Sequence, residues 1–121
     1  MEHFQGEFAG KKFILEEWQK FFLYGVYGWY YTGTDDRVIK HCILDCGRKN
    51  GKSMLGAAMA LYALIGEKES GAECDIVANT RQQAKILFDM ACAVSRRMDK
   101  KCKHLKQTIN RIKYHRTDSF I

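Results

Sequence analysis

Apolar residues recur along the chain at two spacings, and the switches between them divide it into elements. In Leu15-Glu16-Glu17-Trp18-Gln19-Lys20-Phe21-Phe22, Leu15, Trp18 and Phe22 return at helical intervals, which predicts a short helix with Trp18, Phe21 and Phe22 in the core. Trp29-Tyr30-Tyr31-Thr32 and Val38-Ile39-Lys40-His41-Cys42-Ile43-Leu44 are β-prone runs separated by Gly33-Thr34-Asp35-Asp36, whose small and Asx residues favour a turn. A hairpin feeding a buried strand is expected. From Met54 to Ile65 the chain is rich in Ala, Leu and Met, with no β-branched residue until its end. This segment reads as a helix, apolar on nearly all sides and therefore buried. After the turn-like stretch from Gly66 to Gly71, Cys74-Asp75-Ile76-Val77-Ala78 suggests a second interior strand. Thr80-Arg81-Gln82-Gln83 has capping-box spacing ahead of an amphipathic pattern through Ala84, Leu87, Phe88, Ala91 and Met98, a third helix. Ile109, Ile112 and Tyr114 suggest a final strand.

Strand, loop, helix, strand, helix, strand is the alternation that produces right-handed crossovers and a parallel sheet, so the expected fold class is α/β. With 121 residues there is room for one domain or part of one. A hydrophobic content of 46% excludes the composition of a disordered chain. No apolar run approaches the roughly 20 residues needed to span a bilayer, and the opening Met1-Glu2-His3-Phe4 lacks the features of a signal peptide. A cytoplasmic location without membrane contact is expected. Cys42, Cys46, Cys74, Cys92 and Cys102 are odd in number, contain no Cys-x-x-Cys pair and lack a His at finger spacing, so reduced thiols are expected rather than a disulfide framework or zinc site. The net charge of +6 is concentrated: Arg96 to Arg116 holds nine Lys or Arg against one Asp, leaving −2 for the rest. That run reads either as a DNA-phosphate contact or as a solvated face, and Lys100, Lys101, Lys103 and Lys106 do not share one helical side.

The segment that carries chemistry is Cys46-Gly47-Arg48-Lys49-Asn50-Gly51-Lys52-Ser53, which matches the phosphate-binding pattern G-x-x-x-x-G-K-[ST] except that Cys46 holds the first Gly position. Such loops work because consecutive backbone N–H groups and the positive end of the following helix point at phosphate oxygens, with Gly permitting close approach. Lys52 is placed to meet the β and γ phosphates, and Ser53 to offer its hydroxyl to Mg²⁺ bound to the nucleotide. The competing reading of Asn50-Gly51 is a hairpin turn. A hairpin needs a strand next, whereas Met54 to Leu61 is helical in propensity, so a helix beginning near Gly51 to Ser53 is expected.

With these residues in view, Leu15-x-x-Trp18-Gln19 upstream and Thr80-x-x-Gln83-Ala84 downstream complete a pattern that resembles the phage terminase large subunit family. Phe8-Ala9-Gly10-Lys11, Gly28-Trp29 and Leu61-Tyr62-Ala63-Leu64 are similar to the ATPase segment of that family, and the resemblance runs from about Gly6 to Phe120. It implies a partial P-loop, helicase-like ATPase domain over residues 1–121, using ATP and Mg²⁺, in a motor that moves double-stranded DNA into procapsids. The nucleotide site would comprise Gln19, Gly47, Arg48, Lys49, Asn50, Gly51, Lys52 and Ser53. By the same resemblance, Arg48 acts in cis on the γ phosphate like an arginine finger, with Lys52 as the other catalytic cation. Gln19 stands where the family recognises adenine, its alternative being a solvated helix residue beside a core Trp. Thr80 and Gln83 stand where the family couples nucleotide to DNA, and a plain helix cap explains them equally. The implied partners are double-stranded DNA, the small terminase subunit and the portal protein, in the cytoplasm of a phage-infected or prophage-carrying host.

The sequence lacks an apolar strand ending in Asp-Glu and a carboxylate-rich nuclease domain. It therefore reads as the front part of such a protein, expected to bind nucleotide without turning it over and to self-associate through uncovered edges. Other classes compatible with the loop are an unrelated P-loop enzyme, such as a helicase or nucleotide kinase, and a non-catalytic fragment.

Overall fold

In the computed structural model the described residues are 14–67, 69–100 and 103–121. The Phe8-Ala9-Gly10-Lys11 string, Lys101 and Cys102 lie outside them. The chain divides into two compact units that meet in sequence between Asn50 and Gly51.

The unit from residue 14 to residue 50 contains helix α1, Glu17–Tyr27, followed by a short hairpin. The helix starts where Gln19 Oε1 accepts from the backbone N–H of Glu16 at 3.0 Å, one arm of a capping box. Its inward stripe is Leu15, Gln19, Phe22, Leu23 and Val26, so the helical period was legible in the sequence while the face was not. Phe21 is 83% exposed and Trp18 lies outside the buried set, contrary to their expected core positions. They fall between the inward positions, at about 100° per residue from Gln19 and Phe22. The expected hairpin is present in compact form: Tyr30 bridges Arg37, Val38 N–H donates to Trp29 O at 3.0 Å, and Gly33 turns the chain at φ 79°. Beyond the bridge, residues 39–46 have no ladder partner among the described residues, and Ile43 is 95% exposed.

The unit from Gly51 onward is built on two helices, α2 (Lys52–Ile65) and α3 (Arg81–Met98), with a three-stranded sheet of β1 (Leu105–Gln107), β2 (Ile112–Tyr114) and β3 (Ser119–Phe120). Both helices fall where the sequence predicts them. The expected burial of α2 holds for Met54, Leu55, Ala57, Ala60, Leu61 and Leu64. All of these but Leu55 join Ala91, Cys92 and Val94 of α3 in one core with Leu105, Ile112, Tyr114 and Ile121 from the sheet region. Gly56 lets the helices approach, since a Cβ there would stand 3.1 Å from Leu87 Cδ1. Thr80 caps α3 through Oγ1, which accepts from Gln83 N–H at 3.3 Å.

The sheet is antiparallel throughout in the order β1-β2-β3, with Leu105 opposite Tyr114 and Lys113 opposite Phe120. The parallel sheet expected from residues 38–44 and 74–78 is not formed among the described residues. Neither run forms a regular strand, because β-propensity is local whereas a ladder needs a partner backbone brought alongside. The second run comes nearest: Glu73 makes a parallel bridge with Phe120, Cys74 N–H donates to Phe120 O at 3.0 Å, and Cys74 and Ile76 lean on the core while Val77 is 89% exposed. Of the expected final strand, Ile112 and Tyr114 lie in β2, but Ile109 sits exposed in the turn before it.

Three polar anchors tie the sheet to its surroundings. Gln107 Nε2 donates to Cys92 O at 2.8 Å and to Ser95 Oγ, while Arg96 Nε donates to Gln107 Oε1 at 2.7 Å. Buried Ser119 donates through Oγ to Glu69 O at 2.9 Å and accepts from Ala72 N–H at 3.1 Å. Asp99, just past α3, accepts backbone N–H bonds from His104 at 2.6 Å, Leu105 at 2.9 Å and Lys103 at 3.1 Å. The bonds from His104 and Leu105 hold its carboxyl below the usual aspartate value of 3.8.

Two measurements check this arrangement. Ile112→Ala, which empties a fully buried position between sheet and helices, is expected to cost about 2–5 kcal/mol in urea unfolding. Because Asp99 has a lowered folded-state pKa, its contribution is full above the ordinary value of 3.8 and is lost as the pH falls beneath it. The unfolding midpoint of Asp99→Asn is therefore expected to lie below wild type at neutral pH and to converge with it on acidification.

Candidate phosphate loop and its flanks

Residues 46–53 are positioned by two different elements. On the upstream side, residues 41–47 form no regular element and 48–50 turn, with Lys49 in the left-handed region at φ 68°. Arg48, Lys49 and Asn50 are exposed, and Cys46 is half-buried and reduced. A Cβ added at Gly47 would meet Asn50 Nδ2 at 3.4 Å. On the downstream side, Gly51 occupies the N-cap of α2 at φ 73°, and its carbonyl accepts the first helical bond from Leu55 N–H at 2.9 Å. The helix starts at Lys52, half-buried, with Ser53 exposed in its first turn. A left-handed residue running straight into a helix reverses the chain over one position, and it leaves the first N–H groups of the helix without intrahelical acceptors. Gly51 does not sit in a hairpin between strands, so the turn alternative for Asn50-Gly51 is excluded. The helix begins where the loop motif predicts it.

Gln19 is 2% exposed, so it is not the solvated helix residue that was its alternative. Its carboxamide is divided between two duties. Oε1 accepts from Glu16 N–H, and Nε2 lies 3.5 Å from Asn50 O, at the long limit of a hydrogen bond. The side chain thus connects the start of α1 to the last residue of the turn within the same unit. Sequence reasoning did not foresee this link, although the Glu16-to-Gln19 spacing is a capping-box signal that could have shown half of it.

Thr80 and Gln83 lie within the downstream unit at the start of α3, both exposed. Thr80 Oγ1 is engaged as the helix cap, and its carbonyl accepts from Gln83 and Ala84. Among the described residues no group of three or more His, Cys, Asp or Glu side chains is arranged to hold a metal ion. No helix of the described residues is long and apolar enough to cross a membrane.

The fold is thus a small α/β arrangement in which a glycine-capped helix follows a Gly-Arg-Lys-Asn-Gly-Lys-Ser loop. The family model for the ATPase domain of the terminase large subunit matches residues 17–121, and the chain belongs to that family. Membership brings a terminase-type ATP-binding segment, and with it the use of ATP and DNA-packaging partners in general. No curated protein and no solved structure gives a match.

Gly51→Ala is expected to destabilise the chain by about 1–2 kcal/mol, because an L side chain in the left-handed region is strained. Thermal unfolding followed by circular dichroism measures it, and an unchanged midpoint would show that the helix start does not depend on that conformation.

Proposed function

We propose that the loop from Cys46 to Ser53 binds Mg·ATP, and that this segment serves a motor which translocates double-stranded viral DNA into a procapsid. The observation that carries the reading is the start of α2 at Lys52, directly after a left-handed Gly51. That geometry supplies a helix N-terminus and adjacent backbone N–H groups for anionic oxygens. The donor set fits the group: two or three cations for phosphate, and a hydroxyl of the type that reaches a phosphate-bound Mg²⁺.

In this reading Gly47, Lys49, Asn50 and Gly51 shape the loop, Lys52 neutralises the β and γ phosphates, and Ser53 faces the metal. Arg48 is the cis cation for charge that develops on the γ phosphate. Gln19 recognises adenine, a role supported by its link to the loop through Asn50. To reach a base its carboxamide would exchange the long 3.5 Å contact, which costs little compared with a well-formed bond. Thr80 and Gln83 couple the site to DNA, with Thr80 continuing to cap α3. ATP hydrolysis supplies the free energy for transport, while these residues bind and orient the phosphates. The parallel P-loop sheet belongs to the same proposal, supported by the Glu73–Phe120 parallel bridge and the period-two burial at residues 72, 74 and 76. The partners are the small terminase subunit and the portal protein, in the cytoplasm of a phage-carrying host.

Calorimetric titration with Mg·ATP tests this. Binding by the 121-residue chain is expected, falling at least about tenfold in Lys52→Ala, since a charge-assisted phosphate contact contributes about 1.5–3 kcal/mol. Saturating Mg·ATP should also slow alkylation of Cys46 while leaving exposed Cys42 as an internal reference. Binding that is indifferent to Lys52, with no protection of Cys46, would remove the site from this loop.

A further inference from the structure

The solvent face of the C-terminal sheet carries a charge pattern that the packing of the chain does not explain. Strands β1 and β2 pair so that Lys106 lies directly opposite Lys113. One step beyond the ladder, His115 N–H donates to His104 O at 3.0 Å, and alternation puts both imidazoles on the same face as the lysines. The opposite face is buried through Leu105, Ile112, Tyr114 and Ser119, so this register cannot slip without exposing the core. Like charges placed directly opposite destabilise a ladder.

The two lysines differ in their compensation. Lys113 Nζ lies 2.6 Å from Asp118, whereas exposed Lys106 has no carboxylate partner among the described residues. Asp99, which interacts electrostatically with His104, has its oxygens taken up by three backbone N–H groups. On the neighbouring strand Phe120 stands opposite Lys113, and the guanidinium of Arg111 covers its ring at 4.5 Å. The face therefore presents cations and hydrogen-bond donors in two rows about 6.8 Å apart, two residues along a strand. The guanidinium of Arg111 thus covers one face of the Phe120 ring.

We propose that this face, centred on Lys106, Lys113 and Arg111, binds the phosphodiester backbone of duplex DNA. Charge complementarity and the uncompensated Lys106 select a polyanion. Contacts from these cations to phosphate oxygens are of the kind that position a protein on a duplex without reading its sequence. The choice of DNA rests on the terminase reading proposed above. The like-charge pair costs stability in the isolated chain, and a phosphate bridging the two lysines would offset that cost.

The test follows anisotropy of a labelled duplex of about 30 base pairs, with the full chain in the absence of nucleotide and over a salt series. Lys106→Glu is expected to weaken duplex binding about tenfold and to lower the salt slope by about one to two, while Lys106→Arg retains affinity and Lys20→Glu on α1 has no effect. Because Glu opposite Lys113 replaces repulsion with attraction, the same variant is expected to melt at or above the wild-type temperature. Weaker binding therefore cannot be assigned to misfolding. Duplex binding is read without nucleotide and Mg·ATP binding by calorimetry, so a failed nucleotide site and a failed DNA face give different results. The proposal is overturned if wild type does not bind duplex, if Lys106→Glu binds as wild type does, if Lys106→Glu melts well below wild type, or if single strands or phosphatidylserine vesicles are preferred to duplex.

Discussion

The packing of α2 against α3 is the contact on which the downstream unit depends. Small residues from both helices, Ala57 and Ala60 on α2 and Ala91 on α3, lie in its core, and Gly56 leaves room for Leu87. Small side chains let the two backbones come close, and larger ones such as Leu64 and Val94 fill the space that remains. The three short strands could not persist alone, because ladders of two or three residues carry few hydrogen bonds. They persist because Leu105, Ile112, Tyr114 and Ile121 complete the core that the helices begin.

That packing also fixes what the site needs. For the proposed phosphate contact the helix end must not fray, yet Lys52 and Ser53 sit in the first turn, where intrahelical bonds are fewest. Met54, which joins the core immediately after them, anchors the turn from the core side, and the left-handed Gly51 fixes where the helix begins. Upstream, the contact to the other half of the loop is weaker: the buried carboxamide of Gln19 is held at Glu16 and reaches Asn50 only at 3.5 Å.

The two long helices were legible in the sequence because periodicity, capping and composition agreed over many residues, and Thr80 in particular does what its spacing with Gln83 announces. The strands were legible only in part: Ile112 and Tyr114 of the expected final strand lie in β2, while the misses differ in cause. Residues 39–44 have strand composition but no ladder among the described residues, since propensity cannot supply a neighbour. Leu105-Lys106-Gln107 was hidden by the opposite problem: three residues with one buried apolar side chain, set in a run of cations, give no periodic signal. Their strand character comes from pairing with Ile112 to Tyr114, and from Gln107 reaching Cys92 and Ser95 on α3. At the candidate site, the residue types from Gly47 to Ser53 were readable because the motif is contiguous. The burial of Gln19 was not, because a polar side chain enters a core only when distant partners are waiting for it, and Asn50 lies 31 positions away.

The basic run shows how the two levels combine. As a string of letters it was a charge excess with no common helical face, and the helix that would have dispersed it ends at Met98. Beyond that helix the chain forms a sheet, whose period of two sorts residues more sharply than a helix does. Leu105, Ile112 and Tyr114 turn inward and, by alternation, Lys106 and Lys113 must turn outward and meet. The core thus dictates the charge pattern of the surface: the register that buries the three apolar residues also sets the two lysines face to face. Stability alone would favour an acid at one of those positions, and Asp118 supplies that compensation to Lys113 from the turn before β3.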